Sequence, residues 1–175
     1  MEHASEIWLG VTEATPLGPV WAALSPAGLA AVAITADEAE FRQHVLRLTG
    51  RESLRDNDRT APTLAQINDY LHGRRQQFDL PLDWSGMSPF QQLVLRAVCQ
   101  VPYGTTASYG EIARRIGRDR QSARAVGQAN GSNPLPLVIP CHRIVGDKGQ
   151  LQGYGGGGGL ATKAWLLRLE GSRLL

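Results

Sequence analysis

"ASYGEIARRIGRDRQSARAVGQAN", residues 107–130, decides how the second half of this chain folds. Ser108 and Glu111 stand at capping-box spacing, where a hydroxyl accepts from the third helical N–H and the glutamate reaches back to the cap. Ile112, Ala113 and Ile116 supply an inner helical face, and Gly117 supplies the stop. After Arg118–Gln121, the segment 122–130 reads as a second short helix ending near Gly131. Two short helices joined by a tight turn, the second presenting Arg124, predict a helix-turn-helix. Any αα-hairpin shares the pattern, so the stretch speaks to architecture before it speaks to function.

Toward the N-terminus, Ser88-Pro89 supplies an N-cap and a first-turn proline. Phe90, Leu93, Val94, Ala97, Val98 and Val101 then form one apolar stripe, which predicts a core helix containing Cys99. A thiol in such a helix reads as a small buried hydrophobe without chemistry. The turn-rich "PLDWSGMSP", residues 81–89, marks a junction and predicts two domains, 1–86 and 87–175. In the first, Ile7–Thr12, Val20–Leu24 and Leu29–Ile34 read as strands separated by the turns Pro16–Gly18 and Pro26–Gly28. Phe41, Val45 and Leu48 follow at helical spacing, as do Leu64, Ile67 and Leu71 ahead of a stop at Gly73. Phe78, Leu80 and Leu82 alternate as in a strand. Nothing in this half announces chemistry, and it reads as scaffold in an α+β protein. At the other end, "LATKAWLLRLEG", residues 160–171, predicts a closing helix with Leu160, Ala164 and Leu167 on one side.

The chain has 175 residues, 42% of them apolar, enough for two small cores. It has no run of 18 apolar residues, and "MEHASEIWLG" lacks a basic-then-apolar signal, so a soluble, unexported protein is expected. Cys99 and Cys141 are too few for a disulfide framework. The net charge of +2 announces no nucleic-acid partner, but its distribution is uneven. Between Tyr103 and Arg143, six arginines (114, 115, 118, 120, 124 and 143) face Glu111 and Asp119, leaving +4 there and −2 elsewhere. Such a patch suits a phosphate backbone, and equally a solvated arginine-rich surface.

The chemistry concentrates in "PLVIPCHRIV", residues 136–145, where Cys141 and His142 stand side by side. A metal pair, a nucleophile with its base, and a buried thiol beside an incidental histidine all compete. Structural zinc wants about four Cys or His ligands in close pairs. His3, His44 and His72 are scattered and no CxxC is present, so no metal is expected. A thiolate attacks far better than a thiol, and a neighbouring imidazole can take its proton. Adjacent side chains of an extended segment point apart, so the pair needs a sharp turn or a bridging water. Asp147 and Glu170 are the downstream carboxylates able to orient the imidazole.

A nucleophilic cysteine just after a DNA-reading helix suits chemistry on a base flipped from the stack. "NPLPLVIPCHRIV", preceded by "SYGEIA" and "ARAVGQAN" and followed by "GY" and "LLRLEG", resembles the O6-alkylguanine-DNA alkyltransferases from Phe90 to Gly171. "TPLGPV" and "GLAAVAI" resemble that family's N-terminal domain. The resemblance implies an RNase H-like α/β domain followed by a winged helix-turn-helix. It implies direct reversal of DNA damage by one irreversible transfer of an alkyl group from guanine O6, or thymine O4, to Cys141. His142 and Glu170 would form a water-bridged relay with Asn133 in the same network. Arg124 would replace the flipped nucleotide, and Tyr109 would turn a phosphate and help protonate the leaving guanine. Ser108, Ala123 and Gly127 would also touch DNA, while Tyr154, Pro136, Gly155 and Gly156 would line the pocket.

No cofactor follows from the resemblance. The implied partner is duplex DNA bearing O6-alkylguanine, met by a monomer, with cooperative binding along DNA, in a bacterial-type cytoplasm at the nucleoid and away from membranes. Three features depart from the family. The first half has no cysteine for the zinc that some members carry. A zinc-bearing regulatory domain ahead of the unit is not expected, nor is a role in transcription. "GYGGGGGL", residues 153–160, is longer than the usual tyrosine-glycine segment. Its glycines, if they form a lid beside Tyr154, are expected to leave room for a benzyl-sized adduct. Alkyltransferase-like proteins that bind lesions without reacting are the main rival, and Cys141 argues against them. A winged-helix regulator explains the arginines but not the relay, and a cysteine hydrolase explains the dyad but not the DNA-reading helices.

Overall fold

The computed structural model describes residues 6–13, 15–35 and 37–172; His3 lies outside them. These fall into two compact units, Met1–Met87 and Ser88–Leu175. In the first, β1 (Ile7–Thr12), β2 (Val20–Ser25) and β3 (Gly28–Ile34) form an antiparallel meander. α1 (Glu38–Thr49) then crosses over to β4 (Ser53–Arg55), which pairs in parallel with β1 and gives the order β3-β2-β1-β4. Successive strand side chains face opposite ways. Ile7, Leu9, Trp21, Ala23 and Ala31 therefore share one face and bury Phe41 and Val45 of α1.

The other face receives α2 (Asn57–Leu71), started by Asp56, whose side chain accepts from Arg59 N. Gly10 sets how closely α2 approaches, because a β-carbon there would sit 1.8 Å from Thr60 Oγ1. Phe78–Leu82 does not form the expected strand. Pro81 has no N–H to donate, and the segment pairs with the sheet at an isolated bridge between Leu29 and Leu82. Leu29 N donates to Pro81 O and Asp83 N to Leu29 O. Asp83 is buried there; burial works against its ionisation, but hydrogen bonds from Ser25 and Ser85 hold its carboxyl below the usual range.

In the second unit α3 (Pro89–Val98) starts at Ser88, whose side chain accepts from Gln91 N, with Pro89 in the first turn. Its buried residues are Val94, Leu95 and Val98, whereas Leu93 is 43% exposed, so the inner stripe lies slightly rotated from the expected one. Cys99 is the C-cap rather than an interior residue, and burial pushes its thiol up to about 11. α4 (Tyr109–Arg115) carries the complete Ser108/Glu111 capping box. A 3-10 turn, Arg120–Ser122, leads into α5 (Ala123–Gly131). β5 (Ala107–Ser108) pairs in parallel with β6 (Ile144–Val145), which follows the 3-10 turn Cys141–Arg143. That pairing holds the start of α4 beside the end of the Cys-His segment.

α6 (Gly159–Leu169) closes the unit on a face that shares only Leu167 with the expected one. Leu167 is buried as expected, but Leu160 is 46% exposed and Ala164 half-buried, and Thr162, Lys163 and Leu166 complete the inner face. Two polar residues on the inner face displaced the apolar periodicity from which the other face was read.

Gly10→Ala should lower stability by about 1–3 kcal/mol, because the added methyl must push α2 off the sheet. Urea denaturation of the full chain measures this, and adding Thr60→Gly should restore much of the loss by emptying the same space.

Candidate active site

Pro140 makes the sharp bend that an adjacent Cys-His pair needs. Its backbone lies at φ −80° and ψ 61°, and Cys141 N donates across it to Ile139 O at 2.7 Å, an inverse γ-turn. The chain then coils through Cys141–Arg143 as one 3-10 turn, burying all three residues. The loop before it is held by two asparagines. Asn133 Oδ1 accepts from Leu135 N at 2.9 Å, and its Nδ2 donates to Ile139 O at 3.0 Å. Asn130 Nδ2 reaches Cys141 O at 3.2 Å. Between them Leu137 is buried at φ 73°, a conformation that a branched side chain adopts only where its surroundings enforce it.

His142 is fully buried, with Nε2 2.8 Å from Glu170 Oε1. Glu170 caps the C-terminal end of α6 and is 6% exposed. Arg143 Nε and Nη2 also donate to its two oxygens at 2.9 Å each, and Gly104 N donates to Oε2 at 3.2 Å. Arg143 Nη1 reaches Val101 O at 2.7 Å, and its guanidinium lies 5.6 Å from the Tyr103 ring centroid. Burial holds the His142 imidazole below its usual range, against the pull of Glu170. The neutral ring gives its one proton to the carboxylate through Nε2, which leaves Nδ1 as the basic nitrogen. Asp147, the other carboxylate weighed for this place, is paired with Arg120 instead.

Cys141 is 4% exposed. Burial pushes its thiol up, while a hydrogen bond from the Asn133 side chain and the charge of Lys163 pull the other way. Lys163 is fully buried and donates to Ile144 O, Gln152 O and Gly153 O at 2.5, 2.8 and 3.2 Å. Desolvation lowers its ammonium to about 8, against the raising influence of Cys141. Gln152 O accepts a second hydrogen bond, from Tyr109 Oη at 2.9 Å. Burial raises the phenols of Tyr109 and Tyr154, and the neighbouring Cys141 raises both further.

Tyr109, Ala123, Arg124 and Gly127 line one groove of about 530 Å³ with Gln128, Asp147 and Gln152. Arg124 is exposed at its rim. Ser108 sits at the base of α4, its hydroxyl accepting from Glu111 N. The basic surface differs from the expected one: Arg114, Arg115, Arg118, Arg120 and Arg124 are exposed, but Arg143 is buried against Glu170. The glycine run also differs. A β-carbon on Gly156 would lie 2.4 Å from Tyr154 Oη and 2.8 Å from Pro136 Cβ, and one on Gly155 would lie 2.3 Å from Gly131 O. Backbone packs closely on Tyr154 and Pro136, so the missing side chains are no evidence of open space.

Arg143 and Lys163 escaped the sequence reading as site residues. Arg143 stands inside the quoted motif, where its charge reads as part of the basic surface until Glu170 is seen to bury it. Lys163, Leu166, Leu167 and Glu170 have the spacing of one inner helical face, whose two charged ends signal burial only once a partner is known.

Fold and site together define a two-domain protein in which a helix-turn-helix groove adjoins a buried cysteine–histidine–glutamate cluster. The family models for 6-O-methylguanine DNA methyltransferase match it, the ribonuclease-like domain over residues 11–84 and the DNA binding domain over residues 89–172. This chain belongs to that family. It is 51% identical over 108 residues to the methylated-DNA–protein-cysteine methyltransferase of Mycobacterium bovis, a match spanning 62% of this chain and 63% of that relative's length. With the Methanosarcina acetivorans protein of the same name it shares 37% identity over 158 residues, 90% of this chain and 95% of the relative. The crystal structure of Mycobacterium tuberculosis OGT in complex with DNA superposes with a TM-score of 0.77 at 36% identity, covering 95% of this chain and 92% of that one.

Arg143→Met should cost about 3–5 kcal/mol in urea denaturation, because it strips donors from a buried carboxylate. Arg143→Met with Glu170→Gln should cost less than the two single losses added together, since the second change removes the stranded charge.

Proposed function

We propose that this chain repairs alkylated DNA by direct reversal, moving one alkyl group from guanine O6, or thymine O4, onto Cys141 Sγ. The observation that carries the reading is a buried His142 held by Glu170 next in the chain to a buried thiol, in the same unit as a groove that carries Arg124 and Tyr109. Duplex DNA lies against α5, and Arg124 fills the gap left by the extruded base. Ala123, Gly127 and Ser108 line the backbone's path. Pro136, Tyr154, Gly155 and Gly156 wall the pocket that receives the base.

His142 Nδ1 takes the thiol proton, through water, and Glu170 stabilises the imidazolium that forms. Sulfur attacks the alkyl carbon, the S–C bond forms as the C–O bond breaks, and the electron pair leaves with the purine. Tyr109 passes a proton to the departing guanine and is reprotonated from the His142 imidazolium through water, so the proton lost by sulfur ends on the base and both groups return to neutral. Asn133 supports the sulfur as its charge grows. The thioether product cannot return its alkyl group by the same path, so each molecule acts once. The protein works as a monomer in the cytoplasm, at the nucleoid; among the described residues, no helix is long and apolar enough to cross a membrane.

Incubation with duplex DNA containing O6-methylguanine should add about 14 Da, one CH2, to the peptide carrying Cys141. Cys141→Ala should bind the lesion and gain nothing. Binding by the wild type with no mass gain selects the lesion-binding alternative instead. The pH dependence is a second check. Burial favours neutral His142, so the base stays available as pH falls through the ordinary histidine value of 6.5. Single-turnover transfer should therefore hold steady from neutral pH through 6.5 and decline only in more acid solution.

A further inference from the structure

Arg120 and Asp147 form an ion pair to which the mechanism assigns no part. Arg120 opens the 3-10 turn between α4 and α5, a turn capped by Asp119 through Ser122 N. Asp147 follows β6 and lines the groove with Arg124. Its carboxylate has space because Gly110 carries no side chain: a β-carbon there would lie 3.3 Å from Asp147 Oδ1. The two side chains are 72% and 44% exposed, so the pair is weak and easily exchanged.

A carboxylate is an odd wall for a groove that receives a polyanion. DNA presents about one negative charge per 1.7 Å of axis. A phosphate offers a guanidinium the same two-oxygen geometry as a carboxylate, backed by the field of its neighbours. We propose that Asp147 stands in for a DNA phosphate: it holds Arg120 while the groove is empty and yields it to the backbone when duplex DNA binds. This rests on the DNA-binding role given to the groove above. Arg120 then becomes a contact that positions the duplex without reading its sequence. The carboxylate left behind repels the backbone and limits affinity for undamaged DNA.

Equilibrium binding of a fluorescent, unmodified duplex across a sodium chloride series tests this by anisotropy. Arg120→Ala should reduce the slope of log affinity against log salt by about one, the loss of one phosphate contact, and Arg120→Lys should keep the wild-type slope. Asp147→Asn should bind about threefold or more tightly at low salt. A wild-type slope in Arg120→Ala overturns the proposal, as does Asp147→Asn binding no more tightly than the wild type. Each of these leaves the alkyl-transfer reading standing, because the mass gain on Cys141 is measured separately. A wild type that binds no duplex at all overturns both.

Discussion

The buried carboxylate of Glu170 is the constraint on which the second unit depends. Taking such an ion out of water costs several kcal/mol unless donors surround it. His142 Nε2, two nitrogens of Arg143 and the Gly104 amide provide them. These donors come from different parts of the chain: the 3-10 turn after Pro140 and the loop before β5. Arg143 extends the tie to Val101, just beyond α3. The C-terminal end of α6 is an unfavourable place for a negative charge, so these contacts must also offset the helix dipole. Together they tie the end of α6 to the Cys-His turn. The same arrangement fixes the histidine tautomer, so stability and chemistry share one set of hydrogen bonds.

A second constraint acts on the thiol. Reactive cysteines usually sit in exposed, electropositive surroundings that keep them ionised. Cys141 is instead buried with its thiol pushed up, so the resting group is a protonated thiol. That suits the proposed role of a residue that acts once: a standing thiolate would react with oxidants or stray electrophiles before it met its substrate. In the proposed reaction, ionisation is deferred until a base and an electrophile are both in place. Lys163 supplies the nearby positive charge while spending its donors on three backbone carbonyls, so it can favour the thiolate without leaving its place.

Much of this was readable in the residues. The capping box at Ser108, the proline-led start of α3 and the three-stranded meander are local, and local chemistry is what a sequence displays. Arg143, Lys163 and the strand assigned to Phe78–Leu82 were not readable, each for a physical reason. Whether a charged residue is buried depends on partners distant in the chain, such as Glu170 for Arg143 and the Gln152–Gly153 carbonyls for Lys163. Alternation at Phe78, Leu80 and Leu82 matches a strand, but pairing needs N–H groups in register, and Pro81 removes one. The inner face of α6 was legible only at Leu167, because a lysine and a threonine share that face with the leucines.

The five glycines after Tyr154 make the same point about composition. As a run they look like a flexible connector, or an open lid that spares a bulky adduct. Their geometry divides them into two kinds. Gly155 and Gly156 are needed for close approach, since any β-carbon would strike Gly131 O, Tyr154 Oη or Pro136. Gly157, Gly158 and Gly159 take φ values of 103°, 70° and 60°, a region costly for other residues, as the chain turns into α6. Each glycine thus answers a local steric demand, and together they let the backbone cover Tyr154 and enter the helix that carries Lys163 and Glu170. What this segment admits is set by how far that backbone can move from Tyr154, not by the side chains it lacks.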